Sequence, residues 1–335
     1  MRTKKMLALA SVALLAAGLA GCSSGGADDK AGGSQHVLRV AFNQNAQHPQ
    51  AQAILEMSDA LEEATDGAYK LELYPDATLG AQEATIEQVQ SGTIDLAVVA
   101  GSLLENFNPD FAVVNLPYMY SSPEHQMSVL NDDDVVGDLY GTLDAQNIHV
   151  LAAYHGGVRN VYTKEPVKTP ADLKGKKIRV IGSDTNVKMM ELMGGVGTPM
   201  AQDEVYTAIQ SGVLDGAENN ELIYSSLSHA EIAPYYSRTA HLMMPDYLIA
   251  SPTFWNGLDD DTKEIFQDLV TKSIDTQLAA FDAATQEAIT AAKDAGATFI
   301  DVDTDAFREA VLPLHDEIIT DSNRAVYDAI NAARD

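Results

Sequence analysis

The chain has 335 residues, and its 49 acidic and 21 basic side chains give a formal net charge of −28. This length suits one large or two medium domains, and a hydrophobic fraction of 46% is that of a soluble globular protein rather than a disordered one. Because binding to nucleic acid requires clustered lysine and arginine, this acidity argues against a nucleic acid as the partner.

Residues 1–21 have the pattern of a lipoprotein signal peptide. Three basic side chains near the start precede an apolar run at residues 6–20, which is too short to cross a membrane and has the length of a secretory h-region. The run ends in L-A-G-C, the lipobox of bacterial lipoproteins, in which the peptide is cut before the cysteine and the thiol receives diacylglycerol. We therefore expect Cys22, the only cysteine, to carry a lipid anchor on the extracytoplasmic face of the cell membrane. The alternative is a stray cysteine beside an ordinary cleavage site.

A flexible tether is expected at residues 22–35, which are rich in Ser, Gly and Asp and lack an apolar period. The letters G-C-S-S-G at residues 21–25 match the hydrolase pattern G-x-S-x-G. They lack the strand–turn–helix context that makes such a serine a nucleophile, so we expect no catalytic serine here.

The first folded segments alternate between strand and helix. Residues 37–42 form an apolar run typical of a strand, residues 51–64 carry apolar side chains at helical spacing, and residues 70–74 alternate as a strand does. Strand, helix and strand in this order predict an α/β sheet.

A short pattern occurs twice, at residues 81–95 and 120 positions later at residues 201–215. Each copy has Ala-Gln and an acidic residue, then six residues, then Gln-Ser-Gly and an Asp three positions on. The acidic residue suits the start of a helix and Ser-Gly suits its end. Two copies indicate two lobes built alike, with coincidence among common residue types as the alternative. Gln82 and Gln202 would then lie at equivalent helix N-termini, which suit anions when they face a shared cleft.

The remaining segments continue the alternation. We predict a helix around residues 129–143, strands at 148–154, 176–180 and 245–251, an N-capped turn at 169–175, a helix at 225–236 and a long helical pattern at 259–295. The last segment is long for a globular helix, so it either breaks or spans both lobes.

Metal and nucleotide sites have little support. The histidines show no i,i+4 pair, and the aspartates at 301–305 open like a calcium loop but have Ala306 and Leu312 where glycine and glutamate are needed. No Walker loop or G-x-G-x-x-G after a strand is present. We therefore expect no metal and no cofactor, and an enzyme or a partner-binding sensor remains only as an alternative function.

Arginines are scarce between Val40 and Phe307, where Arg159, Arg179 and Arg238 are the only three. A guanidinium group matches a carboxylate with two parallel hydrogen bonds, so the first two arginines are candidates for holding an anion. The alternative for each is a structural salt bridge on an acidic surface.

Three segments together resemble the DctP-type solute-binding proteins of tripartite ATP-independent periplasmic (TRAP) transporters. They are Y-P-D-A-T-L-G-A-Q-E-A-T-I-E-Q-V-Q-S-G-T-I-D at 74–95, T-P-A-D-L-K-G-K-K-I-R-V at 169–180 and P-M-A-Q-D-E-V-Y-T-A-I-Q-S-G-V-L-D-G-A-E-N at 199–219. The resemblance implies a two-lobed α/β fold, periplasmic-binding-protein-like and type II-like, with a hinge and a long helix spanning both lobes. It implies a non-enzymatic receptor, expected to be monomeric, that passes a small organic acid to a TRAP membrane permease.

The resemblance also implies the binding residues. Arg179 matches the family's carboxylate clamp, Arg159 a second arginine near the hinge, and the positions that contact the rest of the ligand match Asn219, Gln202, Gln82 and Asn43. Sialic-acid-binding relatives have an acidic and an aromatic residue at the two glutamine positions, so sialic acid is disfavoured. The D-G-A-E-N-N variant, with His241 and Pro245 downstream, is similar to members that take sugar acids such as uronates or aldonates. A C4 dicarboxylate or a 2-oxo or 2-hydroxy acid is the alternative.

The lobes are expected to be discontinuous in sequence. The first would comprise residues 36–156 and 245–284, and the second residues 157–244 and 285–335. The lipobox departs from the many family members that are soluble in the periplasm, and it suggests a membrane-tethered receptor.

Overall fold

The computed structural model describes residues 35–334, so the predicted signal peptide, Cys22 and nearly all of the predicted tether lie outside the described residues. The strands are β1 His36–Ala41, β2 Tyr69–Tyr74, β3 Leu96–Ala100, β4 His149–Thr163, β5 Lys177–Val180, β6 Val196–Pro199, β7 Gly216–Asn219, β8 Tyr235–Ala250 and β9 Thr298–Asp301. The helices are α1 Pro49–Ala64, α2 Gln82–Gln90, α3 Gly101–Leu104, α4 Pro123–Leu130, α5 Asp133–Gly141, α6 Asp184–Leu192, α7 Val205–Gln210, α8 Glu221–Ser226, α9 Pro252–Trp255, α10 Asp260–Asp294, α11 Thr304–Ile318 and α12 Arg324–Ala332. The initial strand–helix–strand prediction is confirmed by β1, α1 and β2.

All these strands belong to one mixed sheet, in the order β2-β1-β3-β8-β4-β7-β5-β6, with β9 paired to β8. At one end β1 pairs in parallel with β2 and β3, and at the other end β5 pairs in parallel with β6 and β7. The antiparallel pair of β4 and β8 joins these two ends. The carboxyl ends of parallel strands are where α/β sheets bind ligands, so both ends offer half of a site.

The two joining strands are much longer than the sequence predicted. β4 has 15 residues and β8 has 16, whereas we expected strands that stop at residue 154 and start at residue 245. The His-Gly-Gly segment does not end β4 but forms an irregularity in the pairing between His155 and Val158. Gly157 has φ +83°, and a Cβ there would lie 2.7 Å from Cβ of Asn220, so both the backbone and the space require glycine.

Helix α10 runs unbroken for 35 residues and is capped by the side chain of Asp259, which accepts from the backbone N–H of Thr262. Near its start, Phe266 packs in the core that contains β1 and α1. Near its end, Ala292 packs in a different core, which contains Tyr162 of β4 and Ala217 of β7. The prediction that a long helix spans both lobes is therefore confirmed.

Two predicted helices have different bounds. The helix expected at residues 129–143 is divided into α4 and α5, because Asp132 caps a new helix by accepting from the backbone N–H of Asp134. The helix expected at residues 225–236 is wrong. Instead α8 begins earlier, capped by Asn220, and the backbone turns at Ser228, where φ is +56°, before β8 begins.

The C-terminal helices contact helices of both predicted lobes. α11 packs on α6, and α12 packs on α5, which belongs to the predicted first lobe although α12 was placed in the second. Within residues 35–334, no helix is both long and apolar enough to cross a membrane.

Candidate binding site

A cavity of about 140 Å³ lies where the carboxyl ends of β1 and β2 face those of β5 and β6. Four of the six predicted binding residues line it: Asn43, Gln82, Arg179 and Gln202. The predicted relation between the two glutamines is confirmed, since Gln82 is the first residue of α2 and Gln202 is the first residue of the 3-10 helix Gln202–Glu204. The preceding alanines adopt nearly the same conformation, φ −62° and ψ 160° in one copy and φ −61° and ψ 153° in the other.

Arg179 brings an unpaired cation to this cavity. Its side chain is 3% exposed, and its Nε donates to the carbonyl oxygen of Met200 at 2.8 Å. Among residues 35–334 its two terminal nitrogens have no hydrogen-bond acceptor, and no carboxylate forms an ion pair with it. Burial, together with the nearby charge of Arg159, lowers the pKa of Arg179. A buried guanidinium group whose two terminal nitrogens lack acceptors is suited to binding an anion.

Arg159 is equally buried but already has its counter-ion. Its Nε and Nη2 donate to the two carboxylate oxygens of Glu218, and Nη2 also donates to the backbone carbonyl of Glu218 at 2.8 Å. Burial opposes ionisation of Glu218, but the charge and hydrogen bonds of Arg159 hold the pKa of Glu218 well below its usual range. Nε2 of His241 lies 3.4 Å from the same carboxylate, and burial lowers the pKa of this histidine. Arg159 is therefore neutralised within the protein and is not among the residues lining the cavity.

Asn219 belongs to the same buried cluster. Its Oδ1 accepts from Nη1 of Arg159 at 3.0 Å and from the backbone N–H of Asn220 at 2.9 Å. Its backbone carbonyl accepts from the hydroxyl of Tyr236. Asn219 does not line the cavity either, but its amide nitrogen donates to none of the residues that the structure describes.

Two amide side chains on the other wall present donors. Nδ2 of Asn43 is buried and has no partner in the described part of the chain, which is costly unless something else accepts its hydrogens. Oε1 of Gln82 accepts from the backbone N–H of Ala100 at 2.6 Å, which leaves its Nε2 as the available group. Both residues follow or begin elements at the carboxyl edge of the sheet, so their positions are fixed by backbone structure.

The family model described as "Bacterial extracellular solute-binding protein, family 7", DctP, matches residues 40–321. The chain belongs to the DctP family. Proteins of this family are extracytoplasmic solute-binding subunits of transporters, so this DctP protein is a binding protein and not an enzyme.

Solved structures of TRAP periplasmic solute-binding proteins have the same two-lobed fold. One from Anaerococcus prevotii, with bound α/β-D-glucuronate, has a TM-score of 0.86 and 34% identity, covering 89% of this chain and 98% of that one. One from Xanthobacter autotrophicus Py2, with bound β-D-galacturonate, has a TM-score of 0.84 and 33% identity, covering 89% and 100%. The 2,3-diketo-L-gulonate-binding periplasmic protein YiaO of Escherichia coli K12 is 30% identical over 82% of this chain and 84% of its own.

Gln44 contacts a cavity residue of this DctP protein and was not identified from the sequence. Its Nε2 and Oε1 pair with Oε1 and Nε2 of Gln202 at 3.2 and 2.9 Å, so one amide pair joins the two walls of the cavity. Gln202 thus has a protein partner for both polar atoms. The signal in the sequence was only that Gln44 follows Asn43 at the end of the first strand.

Glu218 was also missed as a site residue, although it stands beside Asn219 in the D-G-A-E-N segment. It is completely buried and pairs with Arg159 because β4 and β7 place Val161 opposite Glu218 and Asn160 opposite Asn219. In an acidic sequence, the burial of one glutamate cannot be predicted until the strand that pairs with it is known.

Proposed function

We propose that this protein captures a sugar acid with one carboxylate, a hexuronate foremost, and delivers it to a TRAP permease. The observation that carries the proposal is Arg179, a buried guanidinium group that lines the cavity and forms no ion pair with a carboxylate of the described residues. The glucuronate and galacturonate bound in the similar solved structures support a uronate, as does the 2,3-diketo-L-gulonate in the name of one relative.

Arg179 holds the ligand carboxylate through two parallel hydrogen bonds, because a guanidinium group matches that planar shape. Asn43 donates from its unpartnered Nδ2 and Gln82 from its Nε2 to hydroxyl or ring oxygens of the sugar. Gln202 contributes by keeping the cavity walls together through Gln44, and it reaches the ligand only if that pair opens.

Arg159 and Asn219 act from behind the cavity. The pair of Arg159 with Glu218 fixes the guanidinium group, which in turn holds Oδ1 of Asn219. The Nδ2 of Asn219 donates to none of the described residues, and it reaches the ligand only if closure of the lobes brings it to the cavity. A C4 dicarboxylate is less well served, because its second carboxylate would need another unpaired cation and Arg159 is already neutralised.

The protein works as a monomer anchored by lipid at Cys22, with residues 22–35 as the tether. Its lobes are residues 36–156 with 245–284 and residues 157–244 with 285–335, except that α12 packs on the first lobe. They close over the ligand as a hinge motion about β4 and β8. A Cys22→Ala protein expressed in cells that process lipoproteins should leave the membrane fraction; retention there would remove the anchor from the proposal.

A thermal-shift screen tests the ligand class, with glucuronate, galacturonate, gluconate, succinate and pyruvate as probes. A ligand at 100 times its Kd adds about 2.7 kcal/mol to the free energy of unfolding, which is readily measured. We expect the uronates to raise the melting temperature most. If none of the sugar acids raises it, the proposed function is wrong.

A further inference from the structure

Three carboxylate side chains line the cavity that contains Arg179. Asp76 follows β2, Glu83 lies in the first turn of α2, and Asp203 lies in the 3-10 helix that begins with Gln202. They therefore come from both walls. All three are exposed, and within residues 35–334 none of them forms a salt bridge.

The cavity thus combines one unpaired guanidinium group with three unpaired carboxylates. The buried Arg179 itself points to an anionic ligand, because it is 3% exposed and lacks a protein counter-ion. Glu83 lies close to the segment that follows the strand of Arg179, since a Cβ placed on Gly182, two residues after β5, would be 3.6 Å from Oε1 of Glu83. A ligand that puts one carboxylate on Arg179 must therefore extend its remaining atoms past negative groups.

Carboxylates interact with the rest of such a ligand in two ways. They accept hydrogen bonds from hydroxyl groups, and these charge-assisted bonds are stronger than neutral ones. They repel a second carboxylate, and like charges brought together in a partly enclosed site are costly. Hydroxyl groups are thus favoured and a second negative charge is disfavoured at the same positions.

We propose that Asp76, Glu83 and Asp203 are specificity residues that restrict the site to polyhydroxylated monoanions and reject sugar diacids and other dicarboxylates. This inference rests on the proposed function, because it presupposes that a sugar acid occupies the cavity. It adds that Arg179 selects for one carboxylate on the ligand, whereas other residues select against a second negative charge.

Gluconate and glucarate form a suitable ligand pair, because they differ only in whether the last carbon is a hydroxymethyl group or a carboxylate. The cavity variant is Glu83→Gln with Asp203→Asn. The matched control is Glu87→Gln with Glu204→Gln, which removes the same charge from the same two segments at residues that do not line the cavity. All four side chains are exposed, so both double variants should fold as the parent does.

Affinities are measured by calorimetry for glucuronate, gluconate and glucarate with the full mature chain. We expect the parent to bind glucarate at least about tenfold more weakly than the better monoanion, and the cavity variant to gain about tenfold in glucarate affinity. The control variant should keep the parent's preference.

Three results would overturn the inference while leaving the proposed function in place. The parent could bind glucarate as tightly as a monoanion, the cavity variant could gain no glucarate affinity, or the control could gain as much as the cavity variant. Failure of the parent to bind any of the three acids would instead remove the proposed function, and this inference with it.

Discussion

The two buried arginines should respond in opposite ways to the same substitution. Arg159 and Arg179 are each 3% exposed, but only Arg159 has a carboxylate partner. Methionine replaces the aliphatic part of arginine and has no charge, so Arg159→Met and Arg179→Met compare the loss of a paired with the loss of an unpaired cation. The comparison is made on the ligand-free protein by urea denaturation.

Arg159→Met leaves the carboxylate of Glu218 completely buried and without its counter-ion. Breaking a buried ion pair on one side costs about 3 to 5 kcal/mol, so we expect a loss of that size in the free energy of unfolding. Arg179→Met removes a cation whose burial costs several kcal/mol, and it loses one charge-assisted hydrogen bond worth about 1.5 to 3 kcal/mol. The net expectation is a gain of about 1 kcal/mol.

Ligand should reverse the order of stability of the parent protein and the Arg179→Met variant. Saturating uronate at 100 times the Kd should add about 2.7 kcal/mol to the parent protein and nothing to the Arg179→Met variant. Arg179 would then destabilise the ligand-free protein and stabilise the ligand-bound one. If Arg179→Met destabilises the empty protein as much as Arg159→Met does, the reasoning is refuted, because Arg179 would have to be neutralised by the protein itself.

Three other substitutions test the hinge, the cavity walls and a buried acid. Gly157→Ala should lower the free energy of unfolding by about 3 kcal/mol or more, because it adds a steric clash to the strain of positive φ; Gly175→Ala, at φ +77° with open space around it, should lose only about 1 kcal/mol. Gln44→Ala removes the amide pair across the cavity and should weaken uronate binding three- to tenfold in calorimetry, or about 1 kcal/mol, whereas the exposed Gln47→Ala should not. Glu105→Gln should stabilise the protein at pH 8 and leave its stability unchanged at pH 4.

The effect of Glu105→Gln depends on pH because the pKa of this carboxyl group is raised in the folded protein. Burial raises the pKa of Glu105 from an ordinary 4.5 to about 7, against the opposing effect of hydroxyls on Thr185 and Ser183. The folded protein therefore binds this proton more tightly than the unfolded chain does. The stabilising contribution is complete below pH 4.5 and is lost as the pH rises through 7, and it amounts to about 3 kcal/mol.

Each of these predictions has a result that contradicts it. A Glu105→Gln effect that is equal at pH 4 and pH 8 would mean that the carboxyl does not titrate in this range. Equal losses for the two glycine variants would show that the clash is relieved at no cost. A Gln44→Ala protein with unchanged affinity would show that the amide pair does not contribute to ligand binding.

Local patterns were sufficient for the parts of the fold that rest on local structure. The spacing of apolar residues placed α1 and α10, and the repeated Gln-containing pattern placed Gln82 and Gln202 at matching helix starts on opposite walls. The scarcity of arginine marked Arg159 and Arg179 alike as candidates, and it did not distinguish between them. In each case the signal lies within a few residues of the feature that it predicts.

Features that depend on distant partners were not predictable in this way. The pair of Gln44 and Gln202 joins residues 158 positions apart, and the pair of Arg159 and Glu218 joins residues 59 apart. The sequence also left open whether each arginine binds a ligand or forms a salt bridge. The pairing of β4 with β7 gives Arg159 a carboxylate partner, whereas Arg179 has none among the described residues. β4 was underestimated because the glycines of the His-Gly-Gly segment are typical of a turn, whereas here they bend a continuing strand.

The position of β8 in the sheet has a consequence for the order of folding. This strand lies between β3 and β4, yet it is made after both, at residues 235–250. Until β8 has been synthesised, β3 and β4 have no strand between them, and the two ends of the sheet are connected only through the polypeptide chain. Such non-local pairing is slow, so about three quarters of the polypeptide must be available before the sheet closes. A chain shortened before residue 235 would lack its central strand and should not yield either half in folded form.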